Sequence, residues 1–192
     1  MAVDLQLLRS FFSSYQRSAV HDSPLRPSAV LVPFLLHPDG LHLIFTKRTE
    51  SVEHHKGQIS FPGGAVDSGD ADRIATALRE TEEEIGIARA SVEVLGMYDD
   101  FSIPSGFCIT PVAGFLSEIP RLKIQKAEVA EVFTIPVQFF LEPGSERSEM
   151  RELNGKSFPV YFYDFGEHCI WGATAAILRG LLRSLQDFSQ KR

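Results

Sequence analysis

The chain has 192 residues, of which 44% are hydrophobic and 23% are charged, and its formal net charge is -6. This length and composition predict one domain over residues 1–192, with one substantial core, and argue against a second domain. The acidic balance argues against a nucleic-acid polymer as partner, and the lack of a run of about 18 apolar residues argues against a membrane span.

The first elements are predicted from apolar spacing and turn residues. Residues Asp4–Gln16 place their apolar side chains on one helical face, which predicts a short amphipathic helix, followed by a linker through Pro27. Two apolar runs follow, Ser28–Leu36 and Leu41–Lys47, with the turn formers Pro38-Asp39-Gly40 between them. This pattern predicts a hairpin of buried strands.

The middle of the chain predicts a short strand, a turn and an amphipathic helix. The strand is expected over Ile59–Gly64, where proline and glycine stop it. The helix is expected over Ala71–Ile85, with either Asp70 or Asp72 as its N-cap and Gly86 as its terminator.

The second half predicts further strands and a closing helix. The expected elements are strands at about Val92–Tyr98 and Phe107–Leu116, a short helix over Val137–Leu141, strands at Met150–Leu153 and Val160–Tyr163, and a helix over Ile170–Phe188. We expect Asp99–Thr110 to contain a loop. Because helices and strands interleave and hairpins also occur, the predicted fold class is α/β, with a mixed β-sheet between helices.

Three glutamates in the predicted middle helix form an acidic cluster. Glu80, Glu83 and Glu84 stand at positions i, i+3 and i+4, so their carboxylates share one helix face and repel one another. A divalent cation with oxygen ligands would offset this repulsion. Arg79 can donate a charge-assisted hydrogen bond to Glu83, one turn later. Taken alone, such a run of glutamates is more typical of a solvated acidic helix face than of a metal site.

The residues upstream make a metal site the better interpretation. Glycines in Phe61-Pro62-Gly63-Gly64 let main-chain groups approach a ligand closely, just before the acidic helix. From Gly64 to Ile87 the sequence resembles the Nudix box, in which a glycine is followed by an acidic residue, then Arg-Glu, Glu-Glu and a closing glycine. Two positions depart from that pattern: Thr81 replaces an apolar residue, and the first acidic position is either Asp70 or Asp72.

The resemblance implies a fold, a cofactor and a reaction. It implies a Nudix-like α/β/α sandwich and a hydrolase that cuts pyrophosphate linkages with Mg²⁺ or Mn²⁺. Glu80, Glu83, Glu84 and the main chain of Gly64 would hold the metal, which would lower the pKa of a bound water so that hydroxide can attack phosphorus. Residues 64–87 would be the box, and residues 1–27 would precede the conserved part as a helix and linker.

Many Nudix enzymes draw a further glutamate from a loop beyond the box. Glu128 and Glu131 are the candidates by their order along the chain, and Glu128 is preferred. With Arg79, it completes the catalytic set that the resemblance implies. The alternative for Glu128 is an ordinary solvated carboxylate.

A second resemblance concerns the substrate. The segment Ile44–Thr49, the residues before the box and the region Ile170–Leu178 are similar to coenzyme A pyrophosphatases, which yield 3′,5′-ADP and 4′-phosphopantetheine. This similarity implies a small-molecule nucleotide substrate. The residues that it implies for substrate binding are Arg48, His55, Gly57, Gln58, Phe61 and Gly63.

One departure keeps a second substrate class open. Glu53 stands where that subfamily has an arginine, so a contact to a substrate phosphate is reversed in charge. ADP-ribose, NADH or a dinucleotide is therefore the alternative substrate, and a nucleotide-binding module without activity is disfavoured because all three box glutamates are present. We expect a soluble, cytoplasmic protein, and the sequence leaves open whether it forms a homodimer.

Overall fold

The structure, a computed structural model, describes residues 3–21, 24–50, 57–153 and 155–191. The helices in these ranges are α1 (Leu5–Ser14), α2 (Arg73–Ile85) and α3 (Gly172–Gln190). The strands are β1 (Arg26–His37), β2 (Gly40–Arg48), β3 (Ile59–Ser60), β4 (Gly63–Ala65), β5 (Glu93–Met97), β6 (Phe101–Ile103), β7 (Phe107–Leu116), β8 (Val129–Pro136), β9 (Glu146–Leu153), β10 (Lys156–Phe165) and β11 (His168–Trp171). Short 3-10 helices span Arg89–Ser91 and Val137–Leu141. None of the described helices combines the length and the apolar character needed to cross a bilayer.

The main sheet is mixed, as predicted. Within the described ranges it has eight strands, with the order β3-β2-β1-β7-β5, while β4, β6 and β8 pair with β1, β7 and β2. Strands β1 and β7 run parallel from the pair Arg26 and Phe107 to the pair Leu35 and Leu116, and the other pairs are antiparallel. The predicted hairpin of β1 and β2 is therefore confirmed.

Helices cover both faces of this sheet. On one face, α2 packs on a cluster that includes Ala29, Leu31, Leu35, Ile44, Ala77, Ile85 and Val112. On the other face, α1 and α3 pack on a larger cluster that includes Leu8, Phe11, Val32, Phe34, Phe45, Leu178 and Leu181. Successive side chains of β1 point to opposite faces, so one strand supplies both cores. The result is the α/β/α sandwich that the sequence analysis implied.

Three parts of the prediction were wrong. Strand β8 was not predicted, because its apolar pattern is short and only its pairing with β2 completes it. The expected loop over Asp99–Thr110 contains β6, which pairs with the start of β7. The closing helix begins at Gly172 rather than Ile170, because His168–Trp171 forms a strand in a second sheet of order β11-β10-β9.

Candidate functional site

Helix α2 is defined by the residues at its two ends. The side chain of Asp72 accepts a hydrogen bond from the Ala75 backbone N–H at 2.8 Å and forms the N-cap. Gly86 adopts a left-handed conformation with φ 76°, and its N–H donates to the Glu82 carbonyl at 3.0 Å. The N-cap and the C-cap are set by residues next to the helix in sequence. They fix where the helix begins and ends, and thereby which residues form its acidic face.

The two faces of α2 differ in burial. Thr81, which departs from the apolar residue of the Nudix pattern, lies fully buried against the sheet, and its Oγ1 donates to the Ala77 carbonyl at 2.7 Å. This bond satisfies the hydroxyl within the helix, so the substitution leaves no unpaired polar group in the core. Glu83 points outward, with 59% of its side chain exposed.

Arg79 holds several oxygen atoms in place at once. Its Nε and Nη2 donate to the two carboxylate oxygens of Asp70, at 2.8 and 2.9 Å. Its Nη1 donates to Glu80 at 2.9 Å and to Glu83 at 3.1 Å, and its Nη2 also donates to the Ala65 carbonyl at 3.1 Å. The predicted bond between Arg79 and Glu83 is present. Arg79 thereby ties the acidic helix to the loop before it.

The pairing of Asp70 with Arg79 was not predicted. Besides Arg79, the backbone N–H of Asp67 and the hydroxyl of Thr76 donate to Asp70, at 2.9 and 2.8 Å. These bonds, the one from Arg79 first, hold the pKa of Asp70 well below its usual range. Asp72 caps the helix instead, so the structure assigns separate positions to the two aspartates that the sequence left open. In the sequence, the one signal for this pairing was that Asp70 stands nine positions before Arg79.

Glu84 is a buried carboxylate, with 5% exposure. Its Oε2 accepts from the backbone N–H of Gly63 at 3.2 Å, and its Oε1 lies 3.8 Å from Nη1 of Arg48. Burial raises the pKa of Glu84 to about 7, against the opposing effects of Gly63 and Arg48, and the nearby charges of Glu80 and Glu128 raise it further. Burial thus makes the charged form of Glu84 costly in the absence of a further cation.

Glu80 lies directly against the main chain of Gly64. A Cβ atom added to Gly64 would lie 2.5 Å from the carboxyl carbon of Glu80, so any larger residue here would displace the Glu80 carboxylate. Burial raises the pKa of Glu80, and the bond from Arg79 opposes this rise. The carboxylate and the Gly64 backbone thus meet at one point.

The loop glutamates go to different places. Glu128 is exposed, and its charge raises the pKa of both Glu80 and Glu84, which places its carboxylate within electrostatic reach of the cluster. The N–H of Thr49 donates to the Glu128 carbonyl at 2.9 Å and holds this part of the chain beside β2. Glu131 instead lies 3.2 Å from Nε2 of His168. Of the two candidates, the structure brings Glu128 to the acidic helix.

The residues implied in substrate binding are only partly brought together. Gly57 adopts φ +63°, and the carbonyl of Gln58 accepts from the Arg48 N–H at 3.0 Å, so this backbone lies beside β2. Phe61 is 2% exposed and its ring stacks on Phe45 at 5.0 Å, which places its side chain in the core rather than at the site. The predicted residue His55 lies outside the described residues, as do Glu53, His54 and Lys56.

Arg48 has a donor that nothing in the described part of the chain accepts. Its Nε is buried without a hydrogen-bond partner there, although its Nη1 faces Glu84. A buried donor without a partner is costly, and a bound anion or water commonly satisfies it. The Arg48 guanidinium is therefore suited to receive an oxygen from a ligand.

The donor set fits a hard divalent cation. Glu80, Glu83 and Glu84 offer carboxylate oxygens, Gly64 leaves room for close approach, and Mg²⁺ and Mn²⁺ prefer such oxygen ligands. Burial is the main cause of the raised pKa values of Glu80 and Glu84, and a bound cation would favour their charged forms. Arg79 donates to Glu80 and Glu83, and the Gly63 N–H donates to Glu84.

Comparison with known proteins agrees with this geometry. Residues 25–159 match the protein family described as NUDIX domain. The chain is 38% identical over 161 residues to a Photorhabdus laumondii protein described as an uncharacterized Nudix hydrolase, NudL, covering 84% of this chain and 86% of that protein. A protein of the same description from Escherichia coli is 35% identical over 178 residues, covering 91% of this chain and 92% of its own length.

A solved structure shows the same fold. A MutT/nudix family protein from Enterococcus faecalis superposes with a TM-score of 0.57 over 96% of this chain and 70% of that protein, at 16% sequence identity. At this identity the similarity concerns the fold alone.

Proposed function

The chain belongs to the Nudix family of hydrolases, which act on phosphoric anhydrides, and from this membership we propose that it hydrolyses the pyrophosphate bond of coenzyme A or acyl-coenzyme A. The products would be 3′,5′-ADP and 4′-phosphopantetheine, or its acyl derivative. The proposal includes a cytoplasmic location and one domain over the whole chain.

The observation that carries the proposal is the pairing of buried Glu84 with Arg48. Arg48 belongs to the segment that is similar to coenzyme A pyrophosphatases, and its Nη1 lies 3.8 Å from the carboxylate, while its Nε faces no acceptor in the described residues. In the proposed complex, an oxygen of the substrate pyrophosphate accepts from this guanidinium. The scissile anhydride is then held beside the acidic helix.

Three glutamates of the acidic helix are proposed to bind the metal. Glu80, Glu83 and Glu84 would hold a divalent cation, with the main chain of Gly64 beside Glu80. When bound, Mg²⁺ or Mn²⁺ supplies charge neutralisation at the pyrophosphate oxygens and a water of lowered pKa. Arg79 is a positioning residue, because its bonds to Glu80 and Glu83 set where those carboxylates point.

Glu128 is proposed as the general base. Its carboxylate accepts a proton from the attacking water as the new P–O bond forms and the bridging P–O bond breaks. Its place close to the acidic helix, inferred from its effect on Glu80 and Glu84, supports this role over that of Glu131.

A second substrate class is favoured by one residue. Glu53 stands where the coenzyme A pyrophosphatase pattern has an arginine, so a contact that this arginine would make to a substrate phosphate is reversed in charge. The alternative proposal is therefore a pyrophosphohydrolase of a nucleoside diphosphate derivative. Replacing Glu53 with arginine should increase the preference for coenzyme A over ADP-ribose.

The test is turnover of coenzyme A, acetyl-coenzyme A, ADP-ribose, NADH and diadenosine tetraphosphate with Mg²⁺, with products identified by mass spectrometry. Glu84→Gln should lose most of the rate on every substrate that the wild type cleaves. Glu82→Gln is the matched control, because Glu82 lies on the same helix but pairs with Arg89 at the surface. Fastest release of 3′,5′-ADP supports coenzyme A, and fastest cleavage of ADP-ribose or NADH supports the alternative. If nothing is cleaved with Mg²⁺ or Mn²⁺, the catalytic proposal is wrong.

A further inference from the structure

The turn between β1 and β2 carries a second group of metal-ligating side chains. Within the described residues, a ring nitrogen of His37, a carboxylate oxygen of Asp39 and a ring nitrogen of His42 lie within 4.8 Å of one another. Nδ1 of His37 and Nε2 of His42 both contact the same oxygen, Oδ1 of Asp39, and the contact from His42 is 2.8 Å. We call these three residues the hairpin triad.

The hairpin geometry explains why the two rings meet. Leu35 is paired with His42 across the hairpin, and His37 is two residues after Leu35, so both histidines stand on the same face of the sheet. Their ring centroids are 4.3 Å apart. Asp39, in the turn itself, reaches back over this face. The convergence therefore comes from the register of β1 and β2.

Thr134 orients the more buried histidine. His42 is 5% exposed, and its Nδ1 lies 3.2 Å from Oγ1 of Thr134 on β8. If this nitrogen donates to Thr134, the lone pair of Nε2 points to the centre of the triad. Metal-binding histidines are commonly fixed in this way by a partner on their other nitrogen.

The ligand types indicate which ion would bind. Two imidazoles and one carboxylate suit zinc and similar first-row transition metals, whereas Mg²⁺ prefers oxygen ligands only. Three protein ligands leave a fourth tetrahedral position for water.

We propose that the hairpin triad binds a Zn²⁺-class divalent ion at a site separate from the glutamates Glu80 and Glu84 of α2. Strand β4, which precedes that helix, pairs with β1 at Ser28, Ala29 and Val30. His37 lies seven residues farther along β1, or roughly 23 Å at about 3.3 Å per residue. The ion would tie the turn of the hairpin to the adjacent strand β8 through His42 and Thr134.

The test is the affinity for Zn²⁺, without any substrate, measured by competition with a chromophoric chelator. Excess Mg²⁺ is present to occupy sites that have only oxygen ligands. The wild type should bind one equivalent. His37→Gln and Asp39→Asn should weaken binding, and Thr134→Val should lower the affinity by about tenfold or more. His21→Gln is the matched control, because His21 is exposed and lies outside the triad.

A second readout identifies the ligands. Cu²⁺ bound at the hairpin triad should show hyperfine coupling to two nitrogens by electron paramagnetic resonance, and His37→Gln should reduce this to the coupling of one nitrogen, that of His42. Asp39 is 62% exposed, so Asp39→Asn should fold normally. If His37→Gln is unstable, the Zn²⁺ affinity of Asp39→Asn still tests the proposal. Equal Zn²⁺ affinity in the wild type, His37→Gln and Asp39→Asn, or no uptake by the wild type, would overturn the proposal.

Discussion

Gly64 and Glu80 lie so close that a single methyl group cannot be placed between them, since a Cβ on Gly64 would be 2.5 Å from the Glu80 carboxyl carbon. Gly64 is not in the left-handed region, so an alanine there would be free of backbone strain. The methyl group of that alanine would instead displace the Glu80 carboxylate.

Gly64→Ala should therefore lower kcat by about 100-fold, because a displaced ligand of about 1 Å can cost that much. Its effect on the melting temperature should be small. Gly69→Ala is the control, because a Cβ at Gly69 would meet only Asp67, at an ordinary 3.7 Å. Steady-state kinetics with Mg²⁺ and thermal unfolding of the three proteins check this. Equal activity in both variants would remove the positional role of Gly64.

Arg79→Lys should reduce both activity and stability, although the positive charge is retained. Lysine cannot reproduce the two parallel bonds to Asp70 together with those to Glu80 and Glu83. We expect a loss of about 1–3 kcal/mol in the free energy of unfolding, together with a lower kcat. Arg89→Lys is the control, because Arg89 makes only an exposed pair with Glu82. Urea unfolding and kinetics should separate the two variants.

Glu84→Gln should stabilise the metal-free protein in a pH-dependent way. The folded protein holds the pKa of Glu84 at about 7, above the ordinary 4.5, so burial of this carboxylate carries no penalty below pH 4.5. The penalty grows as pH rises from 4.5 to 7 and is complete above 7, where it reaches at most about 3 kcal/mol. The variant should thus be more stable than the wild type at pH 8 in EDTA, and nearly equal to it at pH 5.

Thermal unfolding in EDTA at several pH values measures this difference. Glu82→Gln, whose side chain is exposed, should show no such trend. A stability gain for Glu84→Gln that is the same at pH 5 and pH 8 would contradict the raised pKa.

Glu128→Gln should lower kcat by about 10²- to 10⁴-fold, the usual contribution of a general base. Glu131→Gln should have little effect, because Glu131 pairs with His168. The pH profile distinguishes the roles: loss of the acidic limb in Glu128→Gln identifies a base, whereas an unchanged profile with a raised metal requirement identifies a ligand. Equal losses in both variants would argue against the assignment of Glu128.

Phe61→Leu tests whether this residue acts through packing. Its ring is buried and stacks on Phe45, so the variant should lose about 1–2 kcal/mol of stability and leave KM unchanged. A raised KM with unchanged stability would instead restore the predicted substrate contact. Leu36→Ala, at a site that is 50% exposed, is the stability control.

Local signals were enough to predict several elements. The turn at Pro38-Asp39-Gly40, the helix ended by Gly86 and the acidic face of that helix depend on residues within one or two turns of each other, so the sequence alone specifies them. The identity of the family followed for the same reason, because Arg79, Glu80, Glu83 and Glu84 lie on one helix that Gly86 ends.

Other features were decided by contacts between distant parts of the chain. Strand β8 exists because it pairs with β2, about 90 residues earlier, and that pairing is what separates Glu128 from Glu131. The guanidinium of Arg79 donates hydrogen bonds to Asp70, whereas Asp72 caps the helix. The meeting of His37 with His42 required the register of two strands. Sequence spacing specifies which side chains share a helix face. Only the packed sheet brings Glu128 close to that face and pairs β1 with β2 at the hairpin triad, because the distances between separate segments depend on the whole tertiary fold.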